Sequence, residues 1–292
     1  MTGTLIVNAF WRNASMEHIT ARLRQAAASR GVTLNVRTNA EALYALPSLS
    51  ALSPLPESDF VLFWDKDVRL AAAMEKAGAR VLNSARAIAL CDDKTLTHLT
   101  LAGLDIPTPE TVLCPHSFPA VGYPQVDFLR AAGERLGFPM VVKEGCGSFG
   151  EQVYLARNEA EAAAIVRRAA GRPMLLQRFI RESAGRDMRL YMVGGLCVAA
   201  MRRVNAHDFR ANIQHGGHAE PCVPEQEEIA LAARACRALG LDFAGVDILR
   251  GAEGPLLCEV NSNAHFTALE ALTRADVAGA ILSHAVEAAK KP

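Results

Sequence analysis

The chain has 292 residues, half of them hydrophobic, which is enough for about two domains of average size, each with its own core. Its 31 basic residues are balanced by 31 acidic ones, which argues against a basic surface for nucleic acid or for an anionic membrane. Seven scattered cysteines without a CxxC pair favour free thiols over a disulfide framework or a zinc site.

The first residues, MTGTLIVNAFWRN, contain no basic segment followed by a long apolar core, so the sequence predicts no secretory signal. The longest apolar run, VGGLCVAAM, is much shorter than the ~20 residues needed to span a bilayer. We therefore expect a soluble, cytoplasmic protein.

Strands and helices alternate over residues 1–90. Apolar runs predict strands at 4–10, 32–38, 59–65 and 80–83, and helical patterns lie between them. This alternation is typical of a small parallel α/β unit. No GxGxxG motif follows the first strand, so we expect no dinucleotide site here.

A lysine and a glycine-rich turn stand out in the segment FPMVVKEGCGSFGEQVYLA, which predicts two strands joined by a loop after Lys143. Glycines allow backbone N–H groups to surround phosphate oxygens, and a lysine adds positive charge. The loop lacks the GK[ST] ending of a Walker loop, and a glycine-rich hairpin is often only a turn. Lys94, at the start of a helix that Asp92 or Asp93 can cap, would by itself be read as a surface lysine.

The segment DMRLYMVGGLCVAAMRR predicts a β-hairpin, because a Gly-Gly pair lies between two apolar runs. With a two-residue turn, Asp187 lies opposite Arg202, and Arg189 lies opposite Ala200. The polar face of the hairpin then carries Asp187, Arg189 and Arg202. Arg203 competes with Arg202 for this position, and the register favours Arg202.

The segments VDIL and LLCEVN predict an antiparallel strand pair that brings Asp247 close to Glu259 and Asn261. Residues two apart in a strand share a face, and polar side chains on an apolar face need compensation. Carboxylate and amide oxygens are ligands that Mg²⁺ or Mn²⁺ prefer, usually together with substrate phosphates. The alternative is a solvated strand face.

The segment FRAN adds Arg210 and Asn212. Arginines beside a metal–phosphate site suit a reaction that develops negative charge on phosphoryl or carboxyl oxygens. Each arginine alone would by itself be read as a partner in a surface ion pair.

These motifs follow one another over residues 91–263 in the order CDDK, IPTP, VVKEGCGSFGEQV, QRFI, GRDMRLYMVGG, RR, FRAN, GVDI and CEVNSN. In this order the chain resembles the ATP-grasp superfamily, and most closely its RimK-like α-L-glutamate ligase branch. The resemblance covers about two thirds of the chain. It implies an α/β and α+β architecture: an N-terminal parallel α/β (pre-ATP-grasp) domain at 1–90 and two ATP-grasp subdomains at 91–180 and 181–292.

The resemblance also implies a set of site residues. Lys94 and Lys143 would contact phosphates of ATP, Asp187 the ribose, and Asn212 would lie near the phosphates. The remaining nucleotide-binding residues would be Ser148, Phe149 and Gly150 in the loop and Gln177, Arg178, Phe179 and Ile180 in the adenine hinge. Two Mg²⁺ or Mn²⁺ ions would be held by Asp247, Glu259 and Asn261. Arg202 and Arg210 would stabilise an acyl phosphate.

The hinge reads QRFI where the family commonly has QEFI, so Arg178 replaces an acidic residue. We expect ATP use to survive this change, because adenine is recognised there mainly by backbone groups.

The implied activity is ATP-dependent ligation of a carboxylate to an amine, with glutamate, another amino acid or a peptide as donor. The acceptor would be an amino acid, a peptide or a small protein, and a homo-oligomer is the default expectation. Two alternatives remain: an ATP-binding regulator without turnover, and a kinase that stops at phosphorylation of its substrate.

Overall fold

A computed structural model describes residues 1–53 and 56–290; residues 54–55 and 291–292, in the first and last predicted domains, lie outside it. The elements of the N-terminal part are β1 (Thr2–Val7), α1 (Ala14–Ala28), β2 (Thr33–Thr38), β3 (Tyr44–Ala45), β4 (Ser50–Ala51), β5 (Phe60–Trp64), α2 (Val68–Lys76) and β6 (Val81–Leu82). They form a parallel sheet in the order β2-β1-β5-β6, with β3 and β4 as a separate small antiparallel pair. The predicted parallel α/β unit is confirmed.

The central part contains a second, antiparallel sheet. Its elements, preceded by two helices, are α3 (Ala85–Asp92), α4 (Lys94–Leu101), β7 (Thr111–Leu113), α5 (Phe128–Leu136), β8 (Met140–Glu144), β9 (Val153–Ala156), α6 (Glu159–Arg168) and β10 (Met174–Arg178). The strand order is β7-β10-β8-β9, and α5 and α6 share a core with β8 and β10. Asn158 caps α6, as predicted, by accepting a hydrogen bond of 2.9 Å from the Glu161 N–H.

The C-terminal part is built on a third sheet, also antiparallel. Its elements are β11 (Arg186–Val193), β12 (Leu196–Val204), β13 (His218–Pro221), α7 (Gln226–Leu239), β14 (Phe243–Gly251), β15 (Gly254–Asn261), α8 (Thr267–Thr273) and α9 (Val277–Ala289). The strand order is β13-β12-β11-β14-β15. Helices α3, α4 and α7 share a core with one face of this sheet, so we propose that α3 and α4 belong to the C-terminal part despite the predicted boundary at residue 90.

The other face of the third sheet shares one core with the N-terminal sheet. Trp64 stacks on Phe243 with ring centroids 5.3 Å apart and meets Phe266 edge-on. Buried Asn83 joins the two parts, because its amide donates to the carbonyls of Phe243 and Ser262 at 2.8 Å each. This packing fixes the carboxyl ends of β1 and β5 relative to β14 and β15.

Within residues 1–53 and 56–290, none of the helices combines the length and the apolarity that a bilayer crossing requires.

Candidate active site

A cleft with an open volume of about 670 Å³ lies between the central and the C-terminal sheets. Its size is typical of a site for a small molecule or cofactor. The predicted site residues that line it are Lys143, Gly150, Gln177, Arg178, Phe179, Ile180, Asp187, Arg210, Asn212, Asp247 and Glu259. Lys94, Ser148, Phe149, Arg202 and Asn261 are not among the lining residues.

The floor of the cleft carries two of the three predicted metal ligands, Asp247 and Glu259. Asp247 and Glu259 are directly opposite each other on β14 and β15, and Asn261 is opposite Gly245 on the same face. A β-bulge beside Asp247 leaves Cys258 as an extra residue, and both Cys258 and Glu259 therefore face the cleft. The predicted antiparallel pair is confirmed.

Four charged side chains form a chain of ion pairs across the floor. Arg189 donates to Asp247 through Nε and Nη2, the latter at 2.7 Å. Arg203 bridges two carboxylates, with Nη2 2.9 Å from Asp247 Oδ2 and Nε 2.7 Å from Asp187 Oδ1. Each of the four side chains is at most 12% exposed.

This network decides the protonation state of Asp247. Burial alone would raise the pKa of its carboxyl, but the positive charges of Arg189 and Arg203 outweigh burial and hold that pKa below its usual value. Asp247 is therefore ionised at neutral pH, as a cation ligand must be.

The predicted register of the Gly-Gly hairpin is wrong by one residue. The turn at Gly194 and Gly195 is confirmed, but Val198 forms a β-bulge in β12, and Arg203 rather than Arg202 lies opposite Asp187. Arg202 instead faces Glu220 of β13, at 2.6 Å, with half of its side chain exposed. The placement of Arg202 on the polar face with Asp187 is thus overturned; Arg203 occupies that place.

Both predicted lysines are buried beside the floor. Lys94 is 8% exposed, and its Nζ lies 3.2 Å from the Gly147 carbonyl and 3.6 Å from Glu259 Oε1. Lys143 is 5% exposed, with Nζ 3.8 Å from Cys258 Sγ. A lysine is almost never buried to this extent unless its charge is compensated, so the reading of Lys94 as a surface residue is wrong.

The glycine-rich loop forms the rim of the cleft and contacts its neighbours mainly through backbone. Arg210 Nη1 donates to the Gly150 carbonyl at 2.8 Å. Gly150 has φ +78°, and a Cβ there would lie 2.8 Å from Asn212 Oδ1, so only glycine fits both requirements.

Ser148 and Phe149 of the same loop face the N-terminal part. Lys66 Nζ donates to Ser148 Oγ at 3.1 Å, and the Phe149 ring meets the Trp11 ring edge-on with centroids 5.5 Å apart. The side chains of Ser148 and Phe149 therefore contact the N-terminal part and are absent from the cleft lining.

Arg178, at the end of the hinge strand β10, replaces the acidic residue that is common in the family, and its contacts account for this change. Its guanidinium forms an ion pair with Glu110, which also pairs with Arg135, and it donates to the Arg135 carbonyl at 3.1 Å. Gln177 is buried, and its amide nitrogen lies 2.9 Å from Thr111 Oγ1 and 3.2 Å from His98 Nε2.

Three residues beside the cleft were missed or ranked second by sequence reasoning. Burial, aided by the charge of Lys143, lowers the pKa of His98 to about 4, so this histidine is neutral and can accept from Gln177. His98 follows Lys94 by four residues, and this spacing on one helix face could have revealed it. Sequence reasoning placed Arg189 on the polar face of the hairpin with Asp187 but gave it no role in the site, and it ranked Arg203 second to Arg202.

The floor suits a divalent cation shared with substrate phosphates. Among the described residues no three His, Cys, Asp or Glu side chains form a metal-binding group. The predicted set has two carboxylates and one amide, so it fits Mg²⁺ only if phosphate oxygens complete the coordination, which is the usual arrangement for this ion. Asp247 accepts three contacts from its two arginines, and because a carboxylate has about four acceptor positions, about one remains for a cation.

Comparison with known proteins decides the family. The model of the RimK-like ATP-grasp domain matches residues 91–285. The chain belongs to this family. Beta-citrylglutamate synthase B of Homo sapiens is 33% identical over 260 residues, which are 86% of this chain and 64% of that protein. A probable alpha-L-glutamate ligase 2 of Hahella chejuensis is 34% identical over 216 residues, covering 73% of this chain and 68% of that protein.

A solved structure shows the same fold. The ATP-grasp ligase PsnB, complexed with a minimal precursor, Mg and ADP, has a TM-score of 0.70 at 18% identity, covering 99% of this chain and 98% of that chain. The predicted ATP-grasp fold and the RimK-like resemblance are thereby confirmed. The chain spans somewhat less than two thirds of the length of the human relative.

Proposed function

We propose that the chain is an ATP-dependent carboxylate–amine ligase that forms an amide through an acyl phosphate. The observation that carries this proposal is the convergence of two buried lysines with two carboxylates: Lys143, Asp247 and Glu259 line the cleft, and Lys94 contacts Glu259 beside it. Lys94 Nζ lies 3.6 Å from Glu259, and Lys143 Nζ approaches Cys258, the neighbour of Glu259. Such a group can hold a polyphosphate together with a cation.

In this proposal the nucleotide spans the cleft. Residues 177–180 contact the adenine, and Asp187 binds the ribose. Lys94 and Lys143 neutralise the phosphates, and N–H groups of the loop at 148–150 surround them. Asn212, which lies against Gly150, contacts the same phosphates.

Asp247, Glu259 and Asn261 hold one or two Mg²⁺ ions, or Mn²⁺, in the same proposal. A bound cation of this kind neutralises charge on the transferring phosphoryl group. Arg189 and Arg203 keep Asp247 ionised and fix the direction of its carboxylate. Lys94 orients Glu259 in the same way.

The reaction has two steps. A carboxylate oxygen of the donor attacks the γ-phosphorus of ATP, and ADP leaves. The amine of the acceptor then attacks the carbonyl carbon of the acyl phosphate, loses a proton, and releases phosphate. Arg210 and Arg203 line the cleft where negative charge develops on these oxygens, and Arg203 takes the role that the sequence assigned to Arg202.

Glutamate is the donor or acceptor that we propose first, because the relatives are named for glutamate ligation and citrylglutamate synthesis. A cytoplasmic location and a homo-oligomeric state stay predictions.

The test is ADP release with Mg²⁺-ATP over a panel of acids paired with amines, with mass spectrometry of the products. A product whose mass equals donor plus acceptor less water supports ligation. Hydroxylamine added in place of the amine must give a hydroxamate, since an acyl phosphate reacts with it and a phosphate ester does not. ADP release without hydroxamate would identify a kinase. ATP binding without ADP release, for any pair, would favour a regulator.

A further inference from the structure

The glycine-rich loop, residues 145–152, has two side-chain contacts with the N-terminal part besides its backbone contacts. Lys66 Nζ donates to Ser148 Oγ at 3.1 Å, and the ring of the next residue, Phe149, meets the Trp11 ring edge-on with centroids 5.5 Å apart. None of these four side chains lines the cleft. The contacts therefore act on the loop from outside the nucleotide site. We call Lys66 and Trp11 together the latch.

The two residues of the latch are joined to each other through buried polar groups. Trp11 follows β1 and Lys66 follows β5, and these strands are neighbours in the parallel sheet. Asn8 Oδ1 accepts from the Trp11 N–H at 3.0 Å, and Asn8 Nδ2 donates to Asp65 Oδ1 at 3.2 Å. Asp65 is buried, and the same oxygen accepts from the Lys66 N–H at 2.7 Å. Asn8 and Asp65 therefore fix the backbones of both latch residues relative to each other.

Lys66 also connects the loop to the helix that precedes Lys94. Its ammonium group forms an ion pair with Asp92 at the end of α3. Lys94 begins α4 two residues later, and it contacts the loop twice: its N–H donates to the Gly145 carbonyl at 2.8 Å, and its Nζ donates to the Gly147 carbonyl at 3.2 Å. Lys66 therefore helps to hold the loop beside a lysine that we propose to contact the phosphates.

The backbone of Phe149 is strained. Its φ is +60°, in the left-handed region that bulky side chains rarely adopt. Such a conformation persists only where the surrounding contacts hold the residue. Here those contacts are the rings of Trp11 and His265, with centroids 5.5 and 6.1 Å from that of Phe149. The ring of Phe149 thus anchors a strained loop to the N-terminal part.

We propose that Lys66 and Trp11 are positioning residues that hold the glycine-rich loop where it receives the phosphates of ATP. That the ligand is ATP rests on the proposed function, whereas the hold on the loop does not. A site whose competent conformation is only partly populated loses apparent affinity in proportion to that population. Release of the latch should therefore weaken ATP binding and leave the chemical step in the bound complex nearly unchanged.

The test compares wild type, Lys66→Met and Trp11→Ala as full chains. Both side chains are partly exposed, so the variants should fold. Hydrogen-exchange mass spectrometry of the free proteins follows the backbone amides of residues 145–152, which should exchange about 10-fold faster in both variants because the loop opens more often. Titration calorimetry with Mg²⁺ and the non-hydrolysable analogue AMPPNP should show a Kd about 10-fold higher.

Phe10→Ala and Lys76→Met are the matched controls. Phe10 precedes Trp11 and is 86% exposed, and Lys76 is exposed at the end of α2. Both controls should keep the wild-type loop exchange and the wild-type Kd. Steady-state kinetics adds a second readout: the latch variants should raise the KM for ATP about 10-fold while kcat changes less than about 2-fold. A general loss of folded protein would instead lower kcat without raising KM.

Loop exchange at the wild-type rate in both latch variants overturns the inference. Faster loop exchange with an unchanged Kd for AMPPNP overturns it as well, because the position of the loop would then not affect nucleotide binding. The outcomes also separate the inference from the proposed function. If the variants speed up loop exchange but AMPPNP does not bind even to wild type, the ligase proposal fails and the hold on the loop stands. If wild type forms product while both variants keep its loop exchange and its KM for ATP, the latch fails and the ligase proposal stands.

Discussion

The floor of the cleft, on β11, β12, β14 and β15, holds its charged side chains by buried ion pairs, whereas the glycine-rich loop at the rim is held mainly through its backbone. On the floor, Arg203 contacts Asp187 and Asp247 with 6% of its side chain exposed. At the rim, Gly150 offers a carbonyl to Arg210 and has no side chain at all. A site that binds a polyphosphate needs a rigid charged surface and also a backbone that can approach the phosphate oxygens closely. Changes at the floor should therefore affect stability and activity together, and changes at the rim mainly substrate affinity.

The largest effect should come from Arg203→Met, which leaves two buried carboxylates without their shared partner. Loss of one member of a buried ion-pair group typically costs ~3–5 kcal/mol of unfolding free energy. Arg202→Met is the matched control, because Arg202 is half exposed and its pair with Glu220 is open to solvent, so its loss should change the unfolding free energy far less. Urea unfolding measures both values. Equal losses for the two variants would show that the register with Arg203 opposite Asp187 is incorrect.

The contrast between Arg202 and Arg203 also shows how far the sequence can predict this site. The alternation of apolar and polar residues in LLCEVN and VDIL was enough to predict that Asp247 and Glu259 lie together, because a two-residue period determines which side chains share a face of a strand. The β-bulge at Val198 cannot be recognised from the two-residue alternation of the sequence, because it depends on how β12 packs between β11 and β13. One inserted residue was sufficient to exchange the two arginines.

The burial of Lys94 was beyond local prediction for a related reason. Its backbone N–H donates to the Gly145 carbonyl at 2.8 Å, and its Nζ contacts Gly147, so the loop that covers it is some fifty residues away in the sequence. Helix caps and short turns depend on neighbouring residues and were predicted well, as Asn158 and the Gly-Gly turn show. Contacts between distant segments decide which polar residues become buried, and one sequence carries no direct signal for them.

His98, which contacts Gln177 beside the cleft, should make the stability of the protein depend on pH. Burial, aided by Lys143, lowers its pKa to about 4 in the folded state from 6.5. Between these values the unfolded chain binds a proton that the folded chain does not, so this contribution is complete above pH 6.5 and is lost as the pH falls toward 4. The loss should be roughly 3 kcal/mol.

The measurement is urea unfolding of wild type and His98→Gln at several pH values between 4 and 7. Glutamine can still accept from Gln177 but does not titrate, so the variant should lose this part of the pH dependence. Burial also lowers the pKa of His265, and the difference between the two proteins removes that shared contribution. His18→Gln, on the exposed part of α1, should behave like wild type. Parallel curves for wild type and His98→Gln would contradict the assignment.

Glu259→Gln tests the floor as a metal site. The amide keeps the shape of the side chain but removes the negative charge that a divalent cation requires, and it removes the ionic partner of Lys94. We expect a loss of about 100-fold in kcat for Mg²⁺-dependent ADP release, which corresponds to about 2.7 kcal/mol. Glu253→Gln, in the exposed turn between β14 and β15, is the control and should retain full activity. Full activity of Glu259→Gln would place the cation elsewhere.

The smallest effect on stability should come from the rim. Gly150→Ala introduces a side chain at φ +78° and brings its Cβ to 2.8 Å from Asn212 Oδ1. Gly195→Ala has a similar strain, at φ +83°, with no atom within 4 Å of the new Cβ. Both variants should lose about 1–2 kcal/mol of unfolding free energy from the left-handed backbone alone. Only Gly150→Ala should also raise the KM for ATP, by about 10-fold, because the loop must move away from Asn212 and from the phosphates. Steady-state kinetics of the two variants separates the effect of backbone strain from the effect of where the new side chain lies. An unchanged KM for ATP in Gly150→Ala would mean that the backbone at Gly150 does not approach the nucleotide closely. An equal rise of KM in Gly195→Ala would mean the same.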